Sequence, residues 1–316
     1  GQVGDGTTVD KTSPNFVDFG TGRYAVDIES GHLHTCALLD NGSVSCWGYN
    51  NYGQLGLGNT ANNGIPTYVP LPTGRHVVSL GIGKHHTCVA YDNGDVACAG
   101  RNQQGQLGTG QYAQKSSLTA TQSLGQPALK VVAGEYFSCA LLNNGSVRCW
   151  GDNGYGQFGI NTNIDSNSPA SSVHFETGSF AVDLTSGLQH VCARLANGSM
   201  TCWGRNYVGQ LGIGNTLNQD EPVVLENISL LSSTSIREML VDPDNDDFRP
   251  TWGSHLHILN AGAYDADDAD PWTAGVSWTY SPMSDPISGC MDSIAINDNS
   301  NAIFADGSCT YTTLSS

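Results

Sequence analysis

Basic residues are scarce in this sequence, which contains 12 lysines and arginines against 29 aspartates and glutamates and carries a net charge of −17 at pH 7. A surface of that sign repels phosphate backbones and anionic lipid head groups. Nucleic acid is therefore not an expected partner. The acidic excess is interpreted as a solubilising surface in preference to a specific acidic docking face.

Long apolar runs are also missing. The sequence has no stretch of eighteen or more apolar residues, and Gly1 is not followed by a basic and then apolar leader. It therefore predicts neither a transmembrane helix nor a signal peptide. Because residues 3–8 begin in the middle of a repeated unit, the chain is expected to be a processed piece of a longer protein.

Glycine, in contrast, is abundant, and its 39 copies favour many short strands joined by tight turns. A C-x9-C pair recurs four times, with the first cysteines 51 to 53 residues apart. A repeat period near fifty residues is typical of propeller blades. Each unit contains a strand, a hairpin around an Asn-Gly turn, a G-Q-x-G segment and a polar loop. The units are placed near residues 24–75, 76–128, 129–179 and 180–228, after a partial unit at 1–23.

The hairpin turn determines how the cysteines pair. With Gly42 left-handed, a three-residue loop with a G1 bulge pairs Leu39 with Ser43. Counting outward, Cys36 lies opposite Cys46 at a separation that a disulfide tolerates. The same count gives three more pairs: Cys88 with Cys98, Cys139 with Cys149, and Cys192 with Cys202. Zinc needs more ligands than two thiols per unit supply. Because disulfides persist in oxidising compartments, we expect an extracellular or cell-surface protein.

These residues resemble the RCC1-type β-propeller repeat, which carries G-x-x-H-[ST]-x-A-L, D-G-x-V-x-x-W-G and G-Q-L-G in that order. The first unit reads GHLHTCALLDNGSVSCWGYNNYGQLGLG from Gly31 to Gly58. The likeness covers the region assigned as residues 1–228 and implies an all-β fold of four-stranded blades around an axis, commonly about seven of them. Secreted microbial RCC1-repeat proteins, with a cysteine pair in each blade, show a closer likeness than the family's chromatin-bound member.

Four hairpins and one incoming tail are fewer than such a ring needs. The favoured explanation is sequence before Gly1 that completes the ring. Degenerate blades after Leu225 and a smaller ring are the alternatives. The family's best known member is a chromatin-bound exchange factor for a small GTPase, but an acidic surface does not suit nucleosome binding and disulfides do not suit a nucleus.

The C-terminal third departs from the repeat. Residues 229–288 contain no C-x9-C pair and are interpreted as divergent blades or a small irregular β domain. Their DPDNDD run has the alternating oxygens that calcium loops use, but it lacks the later Gly and the closing Glu of an EF-hand. Solvated acidic loops are therefore preferred. A calcium site is the alternative, with these ligands: Asp242, Asp244, Asp246 and Asp247.

The last segment, 289–316, begins with GCMDSIAIN and continues to DGSC. It resembles a short module found in surface and secreted proteins of marine microbes. That resemblance implies a fifth disulfide, between Cys290 and Cys309, and again an extracellular setting.

Aromatic residues in the irregular loops are the candidate binding residues, because exposed aromatics anchor many interfaces. They are Tyr49, Tyr52, Tyr112, Tyr155 and Tyr207. The regularly placed Trp47, Trp150 and Trp203 are assigned to packing between blades. The histidines two positions before the first cysteines are also assigned a structural role. No catalytic constellation stands out, so neither enzymatic activity nor a cofactor other than calcium is expected.

The leading functional prediction is a non-enzymatic extracellular structural or adhesion protein, a subunit of a cell-surface assembly or fibre. Its partners would be other protein subunits, including copies of itself. The alternative is an extracellular binding module that recognises a glycan or a protein target through the propeller loops.

Overall fold

The structure, a computed structural model, describes residues 1–176 and 179–225. In these residues fifteen strands form four antiparallel sheets, here called blades 1 to 4. The same residues contain no helix able to cross a membrane. The predictions made for the C-terminal third lie outside the described residues. They concern Asp242, Asp244, Asp246, Asp247, Cys290 and Cys309.

The strands of each blade follow one another along the chain. Blade 1 contains β1 (Ala25–Ser30), β2 (His34–Leu39), β3 (Val44–Gly48) and β4 (Asn63–Tyr68). Blade 2 contains β5 (Val77–Ile82), β6 (His86–Tyr91), β7 (Val96–Gly100) and β8 (Lys115–Ala120). Blade 3 contains β9 (Ala128–Ala133), β10 (Phe137–Leu142) and β11 (Val147–Gly151). Blade 4 contains β12 (Ala181–Ser186), β13 (His190–Leu195), β14 (Met200–Gly204) and β15 (Gln219–Val224).

Successive blades are arranged as in a β-propeller. Their first strands contact one another, β1 with β5, β5 with β9, and β9 with β12. The later strands of each sheet pair outward in chain order. The predicted all-β propeller fold is thus confirmed for this part of the chain.

Blade 3 differs from the other three because its fourth segment is not a regular strand. Two backbone hydrogen bonds still hold that segment against β11: the N–H of Ala170 donates to the carbonyl of Cys149, and that of Val173 to the carbonyl of Val147, each at 2.9 Å. The segment therefore follows the path that β4, β8 and β15 take in the other blades.

The hairpin register is the predicted one. Cys36 faces Cys46, Gly42 has a φ of 75°, and the N–H of Leu39 donates to the carbonyl of Ser43 at 2.9 Å. All four hairpin disulfides are present: Cys36–Cys46, Cys88–Cys98, Cys139–Cys149 and Cys192–Cys202. The Asn-Gly turn is sufficient to determine this register because the paired strands are adjacent in the sequence.

Removing one hairpin disulfide is expected to lower the free energy of unfolding by about 2 to 3 kcal/mol, because the bridge restricts the unfolded chain. The test is the double variant Cys139→Ala and Cys149→Ala, compared with the parent by urea denaturation without reductant. An unchanged unfolding midpoint would show that the bridge adds nothing to stability.

Tryptophan packs between blades, as predicted. The indole N–H of Trp150 donates to the carbonyl of Gln106 in blade 2 at 2.9 Å, and that of Trp203 donates to the carbonyl of Gln157 in blade 3 at 2.9 Å. Trp47 makes the same bond, at 2.8 Å, to the carbonyl of Gln2 in the N-terminal segment. The G-Q-x-G segments at Gln2, Gln106 and Gln157 thus each receive the tryptophan of the blade that follows.

The interface between blades 1 and 2 lacks this tryptophan. Ala99 occupies the position and is completely buried. Leu57 and Leu118 pack at the edge of the buried cluster that joins these two blades. Aliphatic side chains from both sides therefore replace one large ring at this interface.

The G-x-x-H signature has a steric cause. A Cβ placed on Gly83 would lie 2.1 Å from Cε1 of His86, so the imidazole needs the glycine in order to lie flat. The buried ring then reaches blade 3, where its Nε2 is 2.9 Å from the hydroxyl of Ser138. Because that hydroxyl donates to the carbonyl of Gln106 at 3.0 Å, Nε2 of the histidine carries the proton and donates to it. The structural role predicted for this histidine is consistent with these contacts.

Blades 1 and 2 are joined by a similar bond, in which Nε2 of His34 lies 3.0 Å from the hydroxyl of Thr87. Between blades 3 and 4 both positions are apolar instead. Phe137 replaces the histidine and Val191 replaces the hydroxyl residue, and both are buried in one cluster. The two sides of an interface are therefore matched in polarity.

Candidate functional site

Variable residues collect at one end of the hairpins. The Asn-Gly turn lies at the other end, so these residues occupy the opposite face of the blades. Each blade contributes one residue from the loop before its second strand and one from the loop after its third. The N–H of the second donates to the carbonyl of the first at 2.8 to 2.9 Å. The pairs are Leu33 with Tyr49, His85 with Arg101, Tyr136 with Asp152, and Gln189 with Arg205.

Buried amides hold the loops that follow. The side chain of Asn153 is fully buried, accepts the N–H of Phe158 at 2.8 Å and donates to the carbonyl of Thr162 at 2.6 Å. Gln157 accepts the N–H of Tyr155 at 2.8 Å. Equivalent asparagines support the other three loops: Asn50, Asn102 and Asn206. The loops are therefore held at defined positions, as a preorganised binding surface requires.

Aromatic rings from blades 1 and 2 form a continuous cluster on this face. The His85 ring lies 5.1 Å from Tyr52 and 6.1 Å from Tyr49, measured between ring centroids. Arg101 then bridges towards blade 3, with Cζ 5.6 Å from the centroid of Tyr52 and 4.9 Å from that of Tyr136. Stacking of a guanidinium on an aromatic face is favourable and leaves its N–H groups free in the plane.

A polar chain continues the cluster to blade 4. Lys84 donates to one carboxylate oxygen of Glu135 at 2.6 Å, and Gln189 donates to the other at 2.9 Å. Arg205 donates to the side-chain oxygen of Gln189. Its Cζ lies 5.1 Å from the ring centroids of both Tyr155 and Tyr207.

We call this set of residues the aromatic–cationic belt. From blades 1 and 2 it contains His32, Tyr49, Tyr52, Lys84, His85 and Arg101. From blades 3 and 4 it contains Glu135, Tyr136, Tyr155, Gln189, Arg205 and Tyr207.

The electrostatic surroundings set the charge of the belt. Burial, together with the positive charges of Lys84 and Arg101, lowers the pKa of His85. The hydrogen bond to Glu135, followed by that to Tyr136, raises the pKa of Lys84. At neutral pH the belt therefore presents a neutral imidazole beside charged lysine and arginine groups.

The structure brings together four of the five tyrosines predicted to bind a partner: Tyr49, Tyr52, Tyr155 and Tyr207. Tyr112 lies in the loop before β8, outside the belt, with 57% of its surface exposed. Sequence reasoning missed the other eight belt residues, among them the four that stack between rings: His85, Arg101, Tyr136 and Arg205. These residues could have been found from the repeat alignment, because their positions vary between units while the flanking Gly, His and Cys recur.

A small cleft lies at one end of the belt. It measures about 250 Å³ and is lined by Gln2, Thr7, Leu33, Tyr49 and Asn62, among others. Among residues 1–176 and 179–225, no three His, Cys, Asp or Glu side chains are grouped so that they could hold a metal ion.

Comparison with known proteins identifies one matching protein family. A model of the RCC1-like domain matches residues 1–256. The ultraviolet-B receptor UVR8 of Arabidopsis thaliana is 29% identical over 248 residues, which cover 78% of this chain and 56% of the receptor. The probable E3 ubiquitin-protein ligase HERC4 of Homo sapiens is 31% identical over 204 residues, which cover 64% of this chain and 19% of the ligase. The chain thus spans only part of the length of these relatives.

Solved structures give the same architecture. Human WBSCR16 matches with a TM-score of 0.59 and 23% identity, covering 64% of this chain and 52% of that protein. Prp20p from Saccharomyces cerevisiae matches with a TM-score of 0.58 and 21% identity, covering 66% of this chain and 52% of that protein. At these identities the likeness concerns the fold alone.

Proposed function

Because the chain belongs to the RCC1-like domain family, we propose that it is a non-enzymatic binding propeller and that the aromatic–cationic belt holds a partner protein. The observation that carries this proposal is the continuity of the belt across all four blades. Tyrosine and arginine are the residue types enriched at energetic centres of protein interfaces. Their support by buried amides limits the ordering cost of binding.

The solved relative Prp20p is described with its binding to Gsp1p and histones. That binding belongs to the yeast protein, and it shows that a protein of this fold can bind other proteins. The acidic composition of the present chain argues for a partner other than a nucleosome.

We place this binding outside the cytosol, at a cell surface or in the extracellular medium. Support comes from the four hairpin disulfides, which an oxidising compartment maintains. Adhesion or membership of a surface assembly is then the setting in which the partner is met. Mass spectrometry of protein isolated from its source after thiol alkylation tests this location. Recovery of these cysteines as alkylated thiols would contradict it.

A glycan ligand is the second candidate. It is favoured by Tyr207, 56% exposed, and by the 250 Å³ cleft beside Tyr49, because aromatic faces stack on sugar rings. A glycan array decides between the two candidates. If a purified glycan binds and its binding is lost when the belt tyrosines are substituted, the ligand of the belt is a glycan and not a protein.

Loss of belt tyrosines is expected to weaken partner binding at least about tenfold, because each aromatic anchor of an interface contributes 1 kcal/mol or more. Proteins captured by the immobilised chain from its source would be identified, purified and titrated against the double variant Tyr52→Ala and Tyr155→Ala. Tyr112→Ala is the matched control, since it removes a tyrosine outside the belt. Equal affinity of the belt variant and the parent would refute the proposed site.

A further inference from the structure

The belt concentrates positive charge on a strongly acidic chain. It holds three of the 12 lysines and arginines, Lys84, Arg101 and Arg205, on a chain with 29 acidic residues. The Glu135 carboxylate is already engaged on both oxygens by Lys84 and Gln189. The Asp152 carboxylate on the same face accepts from the N–H of Gly154 and from the side chain of Gln157. The two arginines are therefore the cations whose charge is available to a partner.

Neither belt arginine is paired with a carboxylate in the part of the chain that the structure describes. Elsewhere the protein does pair its cations, for example Arg23 with Asp40 at 2.7 Å and Lys130 with Asp183 at 2.8 Å. An unpaired guanidinium on a chain of net charge −17 indicates that its acceptor comes from outside the described residues.

Neutral amides occupy the arginine edges instead. Nε and Nη2 of Arg101 both donate to the side-chain oxygen of Gln103, which is an exposed residue. In a bidentate ion pair, a carboxylate accepts hydrogen bonds from these same two nitrogens of an arginine. Nη1 of Arg205 donates to Gln189, and its buried Nε has no acceptor among the described residues. Both arginines are thus oriented by their aromatic stacks with donors left for an anionic group.

From these contacts we infer that the belt binds an acidic peptide segment of the partner protein, with carboxylates on Arg101 and Arg205 and its apolar or aromatic side chains against the belt tyrosines. This inference rests on the proposed function and specifies the chemistry of the partner. A peptide suits the site better than a nucleic acid, because the net charge of −17 repels a long polyanion over the whole surface, whereas a short segment meets mainly the local field, since screening limits the range to about 8 to 10 Å.

The test uses the full chain and a fluorescein-labelled peptide of alternating glutamate and tyrosine, followed by fluorescence anisotropy. The comparison peptide replaces every glutamate with glutamine, which keeps the shape and removes the charge. The double variant Arg101→Gln and Arg205→Gln is compared with Arg75→Gln, which removes an arginine near the opposite, hairpin-turn face.

We expect the glutamate peptide to bind the parent and Arg75→Gln equally, to bind the double variant at least about tenfold more weakly, and to lose affinity as salt is added. Equal binding of both peptides would overturn the acidic assignment but leave the belt as a protein-binding site. Failure of the glutamate peptide to bind would also overturn it, while titration of the captured partner against tyrosine variants tests the belt separately. Single-stranded DNA is titrated in the same way. If it binds more tightly than the glutamate peptide and its binding depends on the two arginines, the ligand is a nucleic acid and the peptide assignment is wrong.

Discussion

Substitution of Phe137 by histidine is expected to lower the free energy of unfolding by about 3 kcal/mol. The smaller ring leaves space in a completely buried site, and its Nε2–H faces the apolar Val191 with no acceptor, so a cavity and an unsatisfied donor add together. Chemical denaturation of the variant and its parent measures the loss.

A second substitution supplies the missing acceptor. In the double variant Phe137→His and Val191→Thr, the new hydroxyl reproduces the arrangement that joins His34 to Thr87. It should restore at least about 1 kcal/mol, seen as non-additivity in a double-mutant cycle. Val191→Thr alone is the control. Strictly additive effects of the two changes would show that the interface does not depend on matched polarity.

Acidification is expected to destabilise the protein through its buried histidines. Burial lowers the pKa of both His34 and His86 from 6.5 to about 3. The unfolded chain therefore binds more protons than the folded chain between these pH values. The contribution of these histidines to the free energy of unfolding is fully present above pH 6.5. It falls as the pH drops towards 3, by about 1.4 kcal/mol per pH unit for each histidine. At pH 4 the loss is roughly 3 kcal/mol for each.

The contribution of one histidine is isolated with the double variant His86→Phe and Ser138→Val, which copies the apolar pair found between blades 3 and 4. Its stability should fall less steeply between pH 6 and pH 4, by about 1.4 kcal/mol per unit. Asp5, whose pKa is lowered by its hydrogen bond to Lys11, adds to the acid sensitivity of both proteins and cancels in the comparison. Parallel pH profiles would contradict the assigned cause.

Local features of the fold follow from the sequence because their partners are close along the chain. The Asn-Gly turn at Gly42 sets the register that joins Cys36 to Cys46, ten residues away. The contacts between blades are harder to predict from the sequence, since Trp150 and Gln106 are 44 residues apart along the chain. The repeat predicted that tryptophan packs between blades, but it did not identify the carbonyl that each indole meets.

The belt was predictable only in part for a related reason. Aromatic type and loop position identify Tyr52 and Tyr155 as candidates. The role of Arg101 depends on its lateral neighbours, Tyr52 in one blade and Tyr136 in another, and these are determined by blade packing. A single repeat therefore shows which positions reach the face, but the side chains that meet there belong to different units.

The polarity matching between blades also restricts the order of the units. A blade that presents His86 must be followed by one that offers a hydroxyl at the position of Ser138, whereas the blade with Phe137 must be followed by one with an apolar residue such as Val191. Ala99 adds a second constraint, because the unit that carries it lacks the indole that the G-Q-x-G segments at Gln2, Gln106 and Gln157 receive. A unit with a hydroxyl residue placed after the one with Phe137 would therefore join a polar surface to an apolar one. Although the repeats look interchangeable in sequence, the unit with Phe137 cannot be exchanged for one with a histidine without a matching change in the unit that follows.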